Sequence, residues 1–205
     1  MRPSNTIIAL MSVSLLLGGC LPGLGPTEPT KFYLLNSLYT LDPNAQPVAR
    51  MGDRTIGVGP INMAEYIDRP QIITRSVANE VQLGEFHKWA EPLQNSFFRV
   101  LADNLAILLD TDRIVTFPWN RSTFVDYQVA VDVGRFDGNL GNSAMLRARW
   151  MIFGDDGRKL LSSKHVTITE PINGSNIEDL VSAQSRILVE LSRQIAESIR
   201  TLANQ

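Results

Sequence analysis

Val125-Asp126-Tyr127-Gln128-Val129-Ala130-Val131-Asp132-Val133-Gly134 decides how this chain folds. Val125, Tyr127, Val129, Val131 and Val133 alternate with Asp126, Gln128, Ala130, Asp132 and Gly134, so one face is apolar and the other mostly polar. A period of two belongs to a strand, whose successive side chains point to opposite sides. Such a strand is half-buried and needs a layer packed on its apolar face. Downstream, Asp137 to Ser143 reads as a turn. The next strand sets Leu146, Ala148, Trp150 and Ile152 on one face and Arg147 and Arg149 on the other. Gly154-Asp155-Asp156-Gly157 is a hairpin turn. Lys159 to Thr169 follows as a weaker amphipathic strand.

The packing layer comes from two helices flanking these strands. The first begins near Pro92, a good first-turn residue because its missing N–H is not needed there. Leu93, Phe97, Leu101, Leu105 and Leu108 then recur at three- and four-residue spacing, and Phe98, Val100, Ile107 and Leu109 widen the stripe. The second opens with Ser175-x-x-Glu178, read as a capping box. Its stripe is Ile177, Leu180, Val181, Leu188, Leu191, Ile195, Ile199 and Leu202. Before the first helix, Phe32-Tyr33-Leu34-Leu35 and Gln71 to Arg75 read as short strands, and Val77 to Glu85 as an extended partner. Asp42 to Asp53 is a polar loop; Thr55 to Val58 is a strand that Gly59-Pro60 ends. Asp110 to Arg113 turns the chain into Ile114-Val115-Thr116-Phe117. The order predicts an α/β or α+β fold: one domain with a mixed, largely antiparallel sheet packed by two main helices.

Composition narrows the function. The chain has 205 residues, 44% hydrophobic and 20% charged, with a formal net charge of −2. That suits one globular domain and offers no basic field for nucleic acid. Only two histidines exist, His87 and His165, far apart in sequence. They carry neither metal-ligand spacing nor a serine-triad arrangement. There is no G-x-S-x-G elbow, P-loop or dinucleotide glycine fingerprint. The expectation is a protein without catalytic residues, metal or dissociable cofactor.

The single cysteine is sharper evidence. Residues 1–20 read MRPSNTIIALMSVSLLLGGC. Arg2 is a minimal positive start, and Ile7 to Gly19 is an uncharged apolar run. That run is shorter than the roughly 20 residues a spanning helix needs, and it fits the core of a secretory signal. Leu17-Gly18-Gly19-Cys20 matches the bacterial lipobox. Residues 1–19 are therefore expected to be a signal peptide, cleaved before Cys20. The Cys20 thiol would carry diacylglycerol and its freed amine an acyl chain, enough hydrocarbon for durable anchoring. Residues 20–30, rich in proline and glycine, read as a lipidated tether, and residues 31–205 as the domain. Leu21, rather than aspartate, after the cysteine favours the periplasmic face of the outer membrane over the inner membrane.

Two stretches resist a purely local reading. Tyr66-Ile67-Asp68-Arg69-Pro70-Gln71 gathers an aromatic, an acid, a base and a proline outside regular structure. Phe86-His87-Lys88-Trp89-Ala90-Glu91-Pro92-Leu93 reads as a loop feeding the first helix. In one reading Tyr66 and Trp89 close the core while Asp68 and Arg69 make local bonds. In the other, Tyr66, Asp68, Arg69 and Trp89 form a docking surface for a protein partner.

These stretches carry a family resemblance. With the lipobox, the chain resembles the ABC-type transport auxiliary lipoproteins, the PqiC-type intermembrane transport lipoproteins. The matching pieces are Phe32-Tyr33-Leu34-Leu35, Ile56-Gly57-Val58-Gly59-Pro60, the run from Tyr66 to Arg75, Trp89-Ala90-Glu91-Pro92-Leu93, Leu101-Ala102-Asp103-Asn104-Leu105 and Phe136-Asp137-Gly138. Met63-Ala64-Glu65 departs from it, where members often carry a proline. The resemblance implies a non-catalytic envelope subunit that works with an Mce-domain substrate-binding protein, a permease and an ATPase. Such systems move phospholipids or other hydrophobic molecules between membranes and support envelope integrity. The resemblance also implies docking on the Mce-domain protein and leaves homo-oligomerisation open. A lipid-binding carrier and a periplasmic hydrolase are the competing functions.

Overall fold

The computed structural model describes residues 28–120 and 122–205. The expected signal peptide, Cys20 and most of the expected tether lie outside the described residues. The elements are β1 (Lys31–Tyr33), α1 (Leu38–Leu41), β2 (Ile56–Met63), β3 (Gln71–Val77), β4 (Glu80–Trp89), α2 (Leu93–Leu108), β5 (Ile114–Thr116), β6 (Tyr127–Asn139), β7 (Ser143–Gly154), β8 (Lys159–Pro171) and α3 (Ile177–Ala203). The expected mixed α/β domain is present. The longest ladders, β6 with β7 and β7 with β8, are antiparallel, while β2 pairs in parallel with both β5 and β6.

The sheet forks at β6. One edge of β6 carries β7 along its length. The other edge carries β2 from Tyr127 to Val133, then β3 at a single residue pair, Thr74 with Gly138. From β3 the sheet continues through β4 to β1.

Helices α2 and α3 pack against each other and against the sheet, α2 over β2 and β5, α3 over β6, β7 and β8. The alternation read from the sequence explains this. Val129, Val131 and Val133 on β6, and Leu146, Trp150 and Ile152 on β7, are buried beneath the helices. Phe97 of α2 meets Phe136 of β6 edge-on, ring centroids 5.6 Å apart. Burying such large side chains contributes about 1.5–3 kcal/mol each. Arg147 and Arg149 point to the uncovered face and are exposed.

Four local expectations change. First, β2 does not end at Gly59-Pro60 but runs on to Met63. Its pairing with β6 breaks register between Val58 and Ile61, and β5 stops at the residue opposite Val58. Pro60 thus lies where no ladder hydrogen bond is asked of it. Second, Phe86 to Trp89 is not a loop. It is the end of β4, where β1 and β3 both pair. Third, the capping box of α3 lies one residue later than Ser175. Asn176 Oδ1 accepts from the Asp179 N–H at 2.9 Å, and the Asp179 carboxylate accepts from the Asn176 N–H at 3.5 Å. Asn and Asp satisfy the same two orphan donors as Ser and Glu. Fourth, Asp137 to Asn139 are not a turn but the end of β6, and Ser143 already opens β7, so the turn is confined to Leu140–Asn142; α1, which has no amphipathic signal in the sequence, is one turn held by a contact from Asn104.

Candidate functional site

The sequence motifs converge on the fork. Asp137, on β6, is wholly buried. The Nε and Nη2 of Arg75, on β3, each donate to Asp137 Oδ2 at 3.1 Å, and Arg135 Nε donates to Asp137 Oδ1 at 2.8 Å. Both carboxylate oxygens are satisfied, which is the condition for burying a charge. The Asp137 hydrogen bonds hold the Arg75 guanidinium above its ordinary pKa. Burial pushes the Tyr66 phenol up, the Asp137 charge adds to that, and Arg75 pulls it partly back. Tyr66 Oη also donates to the Gly134 carbonyl at 3.3 Å.

The segment from Ala64 to Pro70 is a tight turn over this cluster. The Ile67 N–H donates to the Ala64 carbonyl at 2.9 Å and the Arg69 N–H to the Ile67 carbonyl at 2.9 Å. Ile67 plugs the core. Asp68 is exposed. The Arg69 Nε is buried and makes no hydrogen bond among the described residues. At the far end of the turn, the Trp89 N–H donates to the Pro70 carbonyl at 2.7 Å. The backbone thereby brings together the two stretches that the sequence singled out. Their side chains part company: the Trp89 ring is only 5% exposed and belongs to the core, whereas Asp68 faces solvent.

The remaining motif pieces have packing reasons. Ile56 and Val58 face the core, while Gly57 and Gly59 face the segment after β5. A Cβ on Gly57 would stand 2.8 Å from the Trp119 ring, and one on Gly59 would stand 2.6 Å from Phe117 Cβ. The two glycines give that aromatic pair a surface to lie on. Gly138 does the same for α3, since a Cβ there would stand 2.6 Å from Leu180 Cδ1. Asn104 of α2 is wholly buried. Its Oδ1 accepts from the Leu38 N–H at 2.6 Å and its Nδ2 donates to Ser192 Oγ at 3.1 Å, joining α1, α2 and α3. Glu91 and Arg99 pair at 2.8 Å beside the start of α2.

Sequence reasoning missed the Arg75–Asp137 pair. The signal was present as Arg75 closing one motif and Asp137 centring another, but 62 residues separate them. The histidines are apart in the fold as well. His87 Nδ1 meets Tyr33 Oη at 2.8 Å, tying β4 to β1, while His165 is exposed on β8. Among the described residues, no group of three or more His, Cys, Asp and Glu side chains could hold a metal ion. Nor is any helix there long and apolar enough to cross a membrane.

Over residues 37–196 the chain matches the family model described as ABC-type transport auxiliary lipoprotein component. No curated protein matches it in sequence. Among solved structures it is similar to an uncharacterised protein, with a TM-score of 0.69 at 15% identity over 84% of this chain and 99% of that one. It is also similar to a protein from Xanthomonas campestris, with a TM-score of 0.64 at 16% identity over 86% and 98% of the two chains. At such identities these likenesses bear on the fold alone.

Proposed function

This chain belongs to the ABC-type transport auxiliary lipoprotein family, and from that membership we propose that it is a PqiC-type lipoprotein docking on the Mce-domain protein of an intermembrane transport system. In this reading Cys20 carries the diacylglycerol and N-acyl chains and holds the domain at the periplasmic face of the outer membrane. Permease and ATPase supply the motion; the lipoprotein contributes a fixed contact and catalyses nothing. The cargo class is phospholipid or another hydrophobic molecule.

The observation that carries the docking reading is the Ala64–Pro70 turn. It is exposed at Glu65 and Asp68, yet clamped by Tyr66 on the Gly134 carbonyl and by Pro70 on the Trp89 N–H. A loop held this firmly loses little entropy when a partner binds it. Asp68 offers the recognition group, Tyr66 and Arg69 its support, and Trp89 the anchor beneath. Phe97, Leu105, Phe136 and Trp150, all wholly buried, fill the space between sheet and helices. That favours docking over the carriage of a lipid between the layers.

The test is copurification of tagged full-length chain from detergent-extracted membranes. An Mce-domain protein recovered with the wild type, and reduced with Asp68→Lys, supports the reading. Its absence from the wild-type eluate contradicts it.

A further inference from the structure

The face of the sheet turned away from the helices holds a groove of about 660 Å³, lined by Asn62, Asp132, Gly134, Arg147, Arg149 and His165. Its charges are unbalanced. Arg149 meets Asp132 at 3.4 Å, and Asn62 Nδ2 donates to the other oxygen of that carboxylate at 2.9 Å, so Asp132 is already shared. Among the described residues, Arg147 has no carboxylate within ion-pair distance. Its antiparallel neighbour on β6 is Arg135, which is committed to Asp137. The neighbour of Arg149 on β8 is His165, another basic side chain. Arg147 is therefore the cation of the groove left without a counter-charge among the described residues, and an anion there would supply one.

Shape agrees with charge. The register of β6 against β7 shifts between Val133 and Arg135, and the exposed Gly134 leaves the floor of the groove without a side chain. Glycine is common at such a bulge. The chain as a whole carries −2, so a cationic groove runs against its net sign.

We propose that this groove binds a phosphate group, either free or as the phosphodiester of a lipid head group, between the guanidiniums of Arg147 and Arg149 with His165 beside them. Guanidinium forks match phosphate oxygens bidentately. The groove is open to solvent, so a head group can reach the guanidiniums while any acyl chains stay outside. Asp68, on which the docking reading turns, does not line the groove. Ala64 and Gly134 do line it, and the Gly134 carbonyl holds Tyr66, so Arg147→Gln, whose side chain makes no hydrogen bond to that turn, is the variant that separates the two proposals.

The full-length chain in a non-ionic detergent is titrated by calorimetry with inorganic phosphate, and separately with monomeric dihexanoyl phosphatidylglycerol. The expected result is binding of at least one probe, weakened about tenfold or more by Arg147→Gln. Gly134→Leu should weaken it as well, by filling the groove while leaving every charge. A Cβ at position 134 meets only the Arg147 carbonyl oxygen, at 3.7 Å, so the first atom of the new side chain fits without a clash. Tighter binding of phosphatidylglycerol assigns a lipid head group, and equal or tighter binding of inorganic phosphate assigns the free ion. Binding of neither probe overturns the proposal, as does binding that both variants leave unchanged. Loss of a complex with the Mce-domain protein in Arg147→Gln, with neither probe bound, would also overturn it and give the groove to an acidic protein surface.

Discussion

Arg75 donates twice to one oxygen of the buried Asp137, each bond 3.1 Å long, beside the single ladder pair that joins β3 to β6 among the described residues, Thr74 with Gly138. A side-chain ion pair thus stands where a longer backbone ladder would otherwise hold the two halves of the sheet together. The Ala64–Pro70 turn leads directly into β3, so its position depends on this contact.

Breaking the pair from one side should be costly. Asp137→Ala leaves Arg75 and Arg135 without their carboxylate and should lower unfolding free energy by about 3–5 kcal/mol in urea titrations. The double variant Arg75→Met with Asp137→Ala removes both partners of this bond and leaves only Arg135 without its carboxylate, so it should lose less than Asp137→Ala alone. Equal losses would mean that the pair has no coupling beyond its packing.

Tyr66 predicts an alkaline signature. Its phenol pKa is raised in the fold, above the ordinary 10.0, chiefly by burial. The folded protein holds that proton more tightly than the unfolded chain does. The resulting stability is fully present below about pH 10 and is lost as pH rises through the folded pKa. Tyr33 is raised as well, by burial and the Glu178 charge, so absorbance titration at alkaline pH should show late-titrating tyrosine whose amplitude falls by one phenol in Tyr66→Phe. The same variant should flatten the fall in stability above pH 10.

Gly57 predicts a rescue. Gly57→Ala drives a Cβ toward Trp119 and Val125, each 2.8 Å away, and should cost about 1–3 kcal/mol by overpacking. Shrinking the neighbour, as Trp119→Leu, should recover part of that loss in the double variant. Additive losses would contradict the direct contact.

Asn104 predicts a local opening. Asn104→Ala leaves the Leu38 N–H and Ser192 Oγ without their partner, at about 1–3 kcal/mol. Amide exchange at Leu38 should accelerate more than exchange along the centre of β6, because α1 is one turn long and depends on that contact.

The sequence disclosed what periodicity records. Val129, Val131 and Val133 marked β6 as a half-buried strand, and the stripes from Leu93 to Leu108 and from Ile177 to Leu202 marked the two helices. Contacts made at long range were hidden. Gly59-Pro60 has the local chemistry of a strand end, yet β2 continues because its neighbours make no demand on Pro60. Trp89 has the chemistry of either a core or an interface anchor, and only the pairing of β4 with β1 and β3 shows its ring buried. Asp68 and Trp89 look like one surface in the sequence, which does not report which way a side chain turns; the backbone bond from Trp89 to Pro70 unites the motifs while their side chains diverge. Phe136-Asp137-Gly138 could be matched as a string, but its physical sense needs Phe97, Arg75 and Leu180, which are remote in sequence.

The docking claim is tested most directly by photocrosslinking in intact cells. A photoreactive residue at position 68, in the otherwise native lipidated chain, is compared with one at the exposed Asp53 on the loop before β2. The expected result is a crosslink from position 68 to the Mce-domain protein of the transport system and none from position 53. A chain that stays folded and anchored but crosslinks to that protein from neither position, or equally from both, would contradict it.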